Sequence, residues 1–343
     1  LGDVYKRQDE IDIIFKVEEQ YSGSIGGSIG YGAYGLSLGA NYSEKNAFGT
    51  GNSVSVGINY SEWRQDISFN FFNPYFTIDG IGLGYGAYYR KTDYGNFNIA
   101  AYNTDSFGGS VRFQLPISEI ESLGLSIALD STKLKMNTFS SRQLMDFYDS
   151  EGSNFNTYSG SITWSRFTLD RGVFPTNGSS TSISLSFTLP GSNLNYGRFA
   201  HNFKIFRPLP RGLIFGFRSN IGILFAYGDT ETAPPYQHFY AGGMRSVRGF
   251  KQNYLGPKAV YTNDFNPRYQ RPVGGPYSLA GGFDLIVPLN FVPDPRSIRA
   301  SVFLDYGNVF SDQCRAYEVN CYEFDLSELR LSLIHISEPT RPS

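Results

Sequence analysis

The sequence predicts an all-β chain, a transmembrane antiparallel β-barrel, on three observations. Apolar side chains recur with period two along segments of roughly ten residues, the spacing that collects them on one face of an extended strand. Connections are short on one side, as at Asn73-Pro74-Tyr75 and Thr176-Asn177-Gly178, and long and polar on the other, at 130 to 155, 227 to 277 and about 310 to 327. That asymmetry suits an outer-membrane barrel, whereas a compact soluble domain rarely carries so long a loop without a function. Finally, no run of about 18 apolar residues exists to make a membrane helix, but a barrel strand needs only about 9 to 11.

The elements follow in order from the alternation. Segment 22 to 32 is glycine-rich, and 34 to 43 follows it. In 52 to 61, Val54, Val56, Ile58 and Tyr60 alternate with Ser55, Gly57 and Asn59. Segment 65 to 73 ends in Phe71 and Phe72, which with Tyr75 and Phe76 suit an interfacial aromatic belt. Residues 80 to 92 place Leu83, Tyr85, Ala87 and Tyr89 opposite glycines and Tyr88. Segment 96 to 116 reads as one strand and part of a second. Then come 122 to 132, 156 to 168, 180 to 190 with Ile183, Leu185 and Phe187 on one face, 195 to 207, 212 to 227, 278 to 289 and 298 to 310. The apolar face would be the inner one in a soluble sandwich and the lipid-facing one in a barrel, and alternation does not separate the two.

Composition narrows the function classes. The 29 Phe and 25 Tyr among 343 residues are an aromatic excess of the kind that girdles produce. A net charge of -2 gives no general attraction to nucleic acid or anionic lipid. Cys314 and Cys321 lie close together in a polar stretch, and a disulfide in an oxidising compartment is the expectation. His201 and His238 are isolated, Asp170-Arg171-Gly172 reads as a structural turn, and the many Gly-x-Gly patterns run at strand period rather than opening a helix. No nucleophile, metal cluster or cofactor motif stands out, so an enzyme, a metal and a cofactor are not expected.

One segment breaks the pattern. Residues 240 to 261, YAGGMRSVRGFKQNYLGPKAVY, put cations and glycines into an otherwise low-charge chain. Its centre, Val247-Arg248-Gly249-Phe250, resembles the VRGF motif on the inward-folding loop of the BamA family of outer-membrane assembly factors, within the bacterial surface antigen superfamily. Further segments resemble that family in order: FGTGNSVSVGI (48 to 58), NPYFTIDGIGLG (73 to 84), LDRGVFPTNGS (169 to 179) and FLDYGNVF (303 to 310). IDIIFKVEEQ, at 11 to 20, resembles the last strand of a periplasmic POTRA domain.

Parity then nominates partners for Arg248, since a guanidinium inside a membrane barrel is costly unless it meets carboxylates. Phe283, Leu285, Val287 and Leu289 share one face and leave Asp284 on the other. Val302, Leu304 and Tyr306 likewise leave Phe303, Asp305 and Gly307 lumenal. The resemblance implies that Arg248, Asp284 and Asp305 anchor the loop; on parity alone each acid is equally well a solvated lumenal residue. Gly249 suits a close backbone approach, Gly242 and Gly243 a bend, and Phe250 a packing contact or a plain loop aromatic.

The resemblance implies a 16-stranded barrel, with about 13 strands present here, that folds and inserts β-barrel proteins into the bacterial outer membrane. The expected partners are unfolded outer-membrane proteins, membrane lipid and, through POTRA domains, assembly lipoproteins; nucleic acid is not among them. The first strand would be the lateral gate that pairs with an incoming strand, through Ser22, Gly23, Ile25, Gly26, Gly27, Ile29 and Gly30, because glycine-rich strands pair weakly and slip register. A glycine strand at a barrel corner is the plainer alternative. Rival functions are a related translocation or secretion pore, either TamA-like or of two-partner secretion, and a porin. By domain, residues 9 to 20 are expected to end a POTRA domain and 21 to 331 to form a barrel cut short. Residues 1 to 8 and 332 to 343 look like sequencing-adapter read-through, or else are irregular termini.

Overall fold

In a computed structural model the chain is described over residues 21–32, 35–95, 99, 102–137, 140–261, 271–288, 298–312, 314 and 318–339. The expected POTRA strand at 9 to 20 and the stretch 1 to 8 lie outside these residues. Fourteen strands run through the rest: β1 (Gly23–Gly32), β2 (Gly35–Ala47), β3 (Asn52–Ser61), β4 (Arg64–Asn73), β5 (Gly82–Asp93), β6 (Tyr102–Ser118), β7 (Glu121–Met136), β8 (Asn154–Phe167), β9 (Gly178–Thr188), β10 (Tyr196–Pro208), β11 (Ile214–Ala226), β12 (Tyr277–Val287), β13 (Ile298–Phe310) and β14 (Arg330–Pro339). They form one antiparallel sheet in sequence order, β1 through β14. Among the described residues β1 pairs with β2 and β14 with β13.

Two expectations change. Among the described residues, the stretch from 96 to 116 contributes to one long strand, β6, because its alternation pairs in continuous register with β7 from Tyr102 to Pro116, before a shift in register at Ser118. A fourteenth strand also follows the thirteen expected, and its backbone stays paired to β13 past residue 331 as far as Pro339.

Exposure separates barrel from sandwich. Ile58, Ile67, Tyr89 and Phe107 are direct cross-strand neighbours on β3 to β6, and all four are exposed, as are Phe283, Leu285, Val302 and Leu304 on β12 and β13. Ile25 and Ile29 are more than four-fifths exposed. A continuous apolar face open to the surroundings is stable against hydrocarbon and not against water. The opposite face is polar and knitted across strands: Ser106 to Thr132 at 3.0 Å, Ser126 to Ser161 at 2.7 Å, and Thr163 to Ser184 at 3.0 Å. Arg64 and Arg90 converge there on Asp66, at 2.9 and 2.8 Å. The chain is therefore a transmembrane antiparallel barrel fold with a polar lumen.

One end of the sheet carries the connections 48–51, 74–81, 119–120, 168–177 and 209–213, and the other carries 137–153, 227–276 and 311–329. The turns read as Asn73-Pro74-Tyr75 and Thr176-Asn177-Gly178 are longer than those triplets, and Gly178 already opens β9. The long polar connection read at 130 to 155 narrows to 137–153 and contains a helix, α1 (Arg142–Glu151). Ser141 caps it by accepting from the Leu144 amide, and Gly152 ends it with φ 91°. Leu144 and Phe147, three residues apart on one face, bury into a cluster with Ile99, Tyr102, Leu134, Phe155 and Leu194. The helix holds the long loop by backbone and side chain: the Arg142 amide donates to Val260 O at 2.7 Å, and Gln143 bonds both Lys258 O and Val260 N.

Candidate functional site: the lumenal loop anchor and the first strand

The segment 241 to 255 folds back on itself before it meets the wall. The Leu255 amide donates to Ala241 O at 3.0 Å, the Asn253 amide to Gly242 O at 3.2 Å, and the Gly242 amide to Ser246 Oγ at 2.8 Å. Gly242 and Gly243 make the bend with φ of 106° and 96°, and Gly249 follows Arg248 with φ 88°, a region that side chains with a Cβ rarely occupy. Val247 is fully buried against Ala241, Leu255, Ala280 and Val309, with Phe250 packed on the same cluster. Gly307 makes room for it: a Cβ there would lie 2.8 Å from Val247 Cγ2.

Arg248 projects from this turn into two carboxylates. Its Nε donates to Asp305 Oδ2 at 2.8 Å, and its Nη2 donates to Asp305 Oδ1 at 2.8 Å and to Asp284 Oδ1 at 2.7 Å. Its backbone amide also donates to Asp305 Oδ2, at 2.9 Å. The guanidinium carbon sits 3.5 Å from the centroid of the Phe303 ring, a cation–π contact with a buried aromatic. The structure thus brings Val247, Arg248, Gly249, Phe250, Asp284 and Asp305 to one place on the polar wall.

A second arginine completes the group, and the sequence reading missed it. Arg218 on β11 donates from Nη2 to Asp305 Oδ1 at 2.7 Å and has its Nε 3.9 Å from Asp284 Oδ2. Two guanidinium and two carboxylate groups then balance, which matters because the Asp305 side chain has no solvent exposure. Parity along Gly216-Phe217-Arg218-Ser219-Asn220 carried the signal: Phe217 sits on the lipid-facing side, so Arg218 must be lumenal. The register explains its reach. Arg218 pairs with Gly282, which pairs with Asp305, and a Cβ on Gly282 would come 2.2 Å from Asp305 Oδ1. Only glycine in the middle strand leaves a path between the charges.

The other predicted residues fall at the sheet edge and in a loop. Gly23, Ile25, Gly26, Gly27, Ile29 and Gly30 lie on β1, and Ser22 just precedes it, its carbonyl accepting from the Lys45 amide at 3.1 Å. The register against β2 is unbroken from Gly23↔Glu44 to Gly32↔Gly35. Cys314 and Cys321 form a disulfide in the connection 311–329, which pairs with the long loop where the Lys258 amide donates to Val319 O at 3.0 Å. His201 approaches Thr181 Oγ1 at 3.2 Å, and His238 Nδ1 lies 3.1 Å from Val273 O. Asp170 is a turn organiser, accepting from the Thr176 and Asn177 amides at 2.9 and 3.1 Å.

The Omp85 superfamily domain matches residues 46–332. This chain belongs to the Omp85 superfamily. Among Omp85 relatives, the outer membrane protein assembly factor BamA of Neisseria meningitidis serogroup B is 31% identical over 315 residues, which is 88% of this chain and 39% of that protein. BamA of Nitratidesulfovibrio vulgaris is 24% identical over 76% of this chain and 32% of its own length. Of solved structures, BamA from Haemophilus ducreyi lacking POTRA domains 1-3 superposes with a TM-score of 0.79 at 29% identity, covering 90% of this chain and 61% of that one. The chain thus spans about two-fifths or less of the length of these two curated relatives. As an Omp85 barrel of this kind it is a bacterial outer-membrane protein.

Proposed function

We propose that this chain is the barrel region of an assembly factor that folds and inserts β-barrel proteins into the outer membrane. The observation that carries the reading is the Arg248 anchor, which ties a long loop into the lumen in a barrel whose relatives bear the name of assembly factors. In this reading the anchor keeps the loop seated, and β1 is the working edge. Its five glycines within 22 to 32 leave few side chains to hold a neighbour, so an incoming strand can add to the edge by backbone hydrogen bonds and later be exchanged. The exposed Ile25 and Ile29 give that edge a lipid-facing side. Such chemistry is noncovalent and needs no nucleophile, metal or cofactor.

The partners that follow are unfolded barrel proteins along β1, lipid around the apolar face, and lipoproteins held by POTRA domains, of which residues 9 to 20 would be the last strand. The test is reconstitution of the chain within its full-length protein in liposomes, with single cysteines at alternate β1 positions. Unfolded barrel client should insert faster than into lipid alone and crosslink to β1. Insertion no faster than into bare lipid, together with large ion conductance, would overturn the reading in favour of a translocation pore.

A further inference from the structure

Beside the anchor, the polar faces of β9 to β12 and the re-entrant loop enclose a cavity of about 510 Å³. Its charges differ in kind from those of the anchor. Arg198 on β10 and Arg245 on the loop both line it, and none of the described lining residues is acidic. Neither arginine has an ion-pair partner among the described residues. The Arg198 guanidinium lies over the Phe239 ring, 4.5 Å from its centroid, and its Nε is buried with no hydrogen-bond partner. With no carboxylate lining the cavity, the two guanidinium groups leave positive charge uncompensated on this wall, which favours an anionic ligand. Around the two cations stand side-chain amides and hydroxyls: Asn202, Asn220, Ser278 and Ser246.

We propose that this cavity binds a small phosphorylated polyol of sugar-phosphate size. Charge selects the phosphate: a monoester near neutral pH carries close to two negative charges and so neutralises both guanidinium groups, whereas a carboxylate leaves one unmatched. Planar guanidinium forks also suit phosphate oxygens geometrically. The amides and hydroxyls match the donors and acceptors of a polyol, which a bare anion would not use. Because Arg198 belongs to the wall and Arg245 precedes Arg248 by three residues on the same loop, a bound phosphate spans loop and wall. It acts as a second fastening beside the carboxylate anchor. The inference stands on the cavity and holds whichever way the assembly reading falls.

The test uses the chain in its full-length protein, folded in lipid nanodiscs, with glucose 1-phosphate as probe and glucose, inorganic phosphate and acetate as comparisons. Binding is read by calorimetry and by 31P line broadening. Glucose 1-phosphate should bind saturably, with glucose and acetate at least about tenfold weaker, the scale of losing one charge-assisted hydrogen bond. Arg198→Gln and Arg245→Gln should each weaken it by about tenfold or more on the same scale. Added glucose 1-phosphate should also slow chymotrypsin cleavage of the loop at Phe250 and Tyr254. Arg245 is exposed on the loop, so Arg245→Gln keeps the test decisive even if Arg198→Gln fails to fold. Equal binding of glucose and glucose 1-phosphate, or unchanged affinity in Arg245→Gln, would overturn the proposal. Inorganic phosphate binding as tightly as the sugar phosphate would overturn the polyol assignment.

Discussion

Replacing Arg248 by alanine should release the loop from the lumen wall, and the geometry sets how far. The substitution removes three side-chain hydrogen bonds of 2.7 to 2.8 Å and the contact with Phe303. The backbone amide bond to Asp305 does not depend on the side chain, and Arg218 stays 2.7 Å from Asp305 Oδ1. Removing one partner of a buried ion pair costs about 3–5 kcal/mol, and the surviving arginine places this case near 3. That is about a hundredfold in the open population of the loop. Chymotrypsin cleavage after Phe250 or Tyr254 tracks that population when reclosing outpaces cleavage, so the rate should rise by a similar factor. Arg248→Lys keeps the charge but loses the fork, and should fall between, at about tenfold. In the double variant Arg248→Ala with Asp305→Asn the costs should be strongly non-additive. A cleavage rate within about threefold of the parent in Arg248→Ala would refute the argument and leave Val247 and Phe250 packing as the restraint.

Other consequences are as direct. Gly282→Ala puts a Cβ 2.2 Å from Asp305 Oδ1 and should cost about 1–3 kcal/mol, read as a lower thermal midpoint and as loop cleavage approaching that of Arg248→Ala. Lys258 is buried in the loop with no carboxylate partner among the described residues, and burial pushes its ammonium down to about 8. A released loop then binds more protons than a seated one above that pH, so loop protection should increase from about pH 8 to about pH 10, and Lys258→Met should abolish the increase in corrected hydrogen-exchange protection. Hydrogen bonds from Thr176 hold the Asp170 carboxyl well below the usual carboxylate range. Its contribution to the turn is therefore present above about pH 4 and lost as pH falls through the lowered value, and Asp170→Ala should speed exchange of the Thr176 and Asn177 amides at pH 6.

How much of this was readable varies with the range of the interaction. The strands were, because Val54, Val56 and Ile58 must share a face once the segment is extended, whatever lies beyond it. Parity also put Asp284 and Asp305 on the same side as the loop. It was available for Arg218 and Arg198 in the same way, but neither stands in a motif, and a lone arginine in a strand announces no partner. Helix α1 was missed because its sequence is polar: only Leu144, Phe147 and Tyr148 mark its buried face, and those acquire meaning when Phe155 and Leu194 arrive to cover them.

The sequence by itself determined the extended segments, the side each residue takes and the motif that resembles an anchoring loop, since these depend on neighbours one or two positions away. Only the tertiary structure decided which side is wet, where Arg248 ends and what it shares its carboxylates with. Alternation gives two faces but not their surroundings, and it is the fourteen-strand register that leaves Ile58 and Ile67 exposed and covers Asp305. The anchor joins residues 36 and 57 positions apart. Whether they meet depends on the bend at Gly242 and Gly243, which aims Arg248 at the wall, and on the gap at Gly282, across which Arg218 reaches the same buried acid.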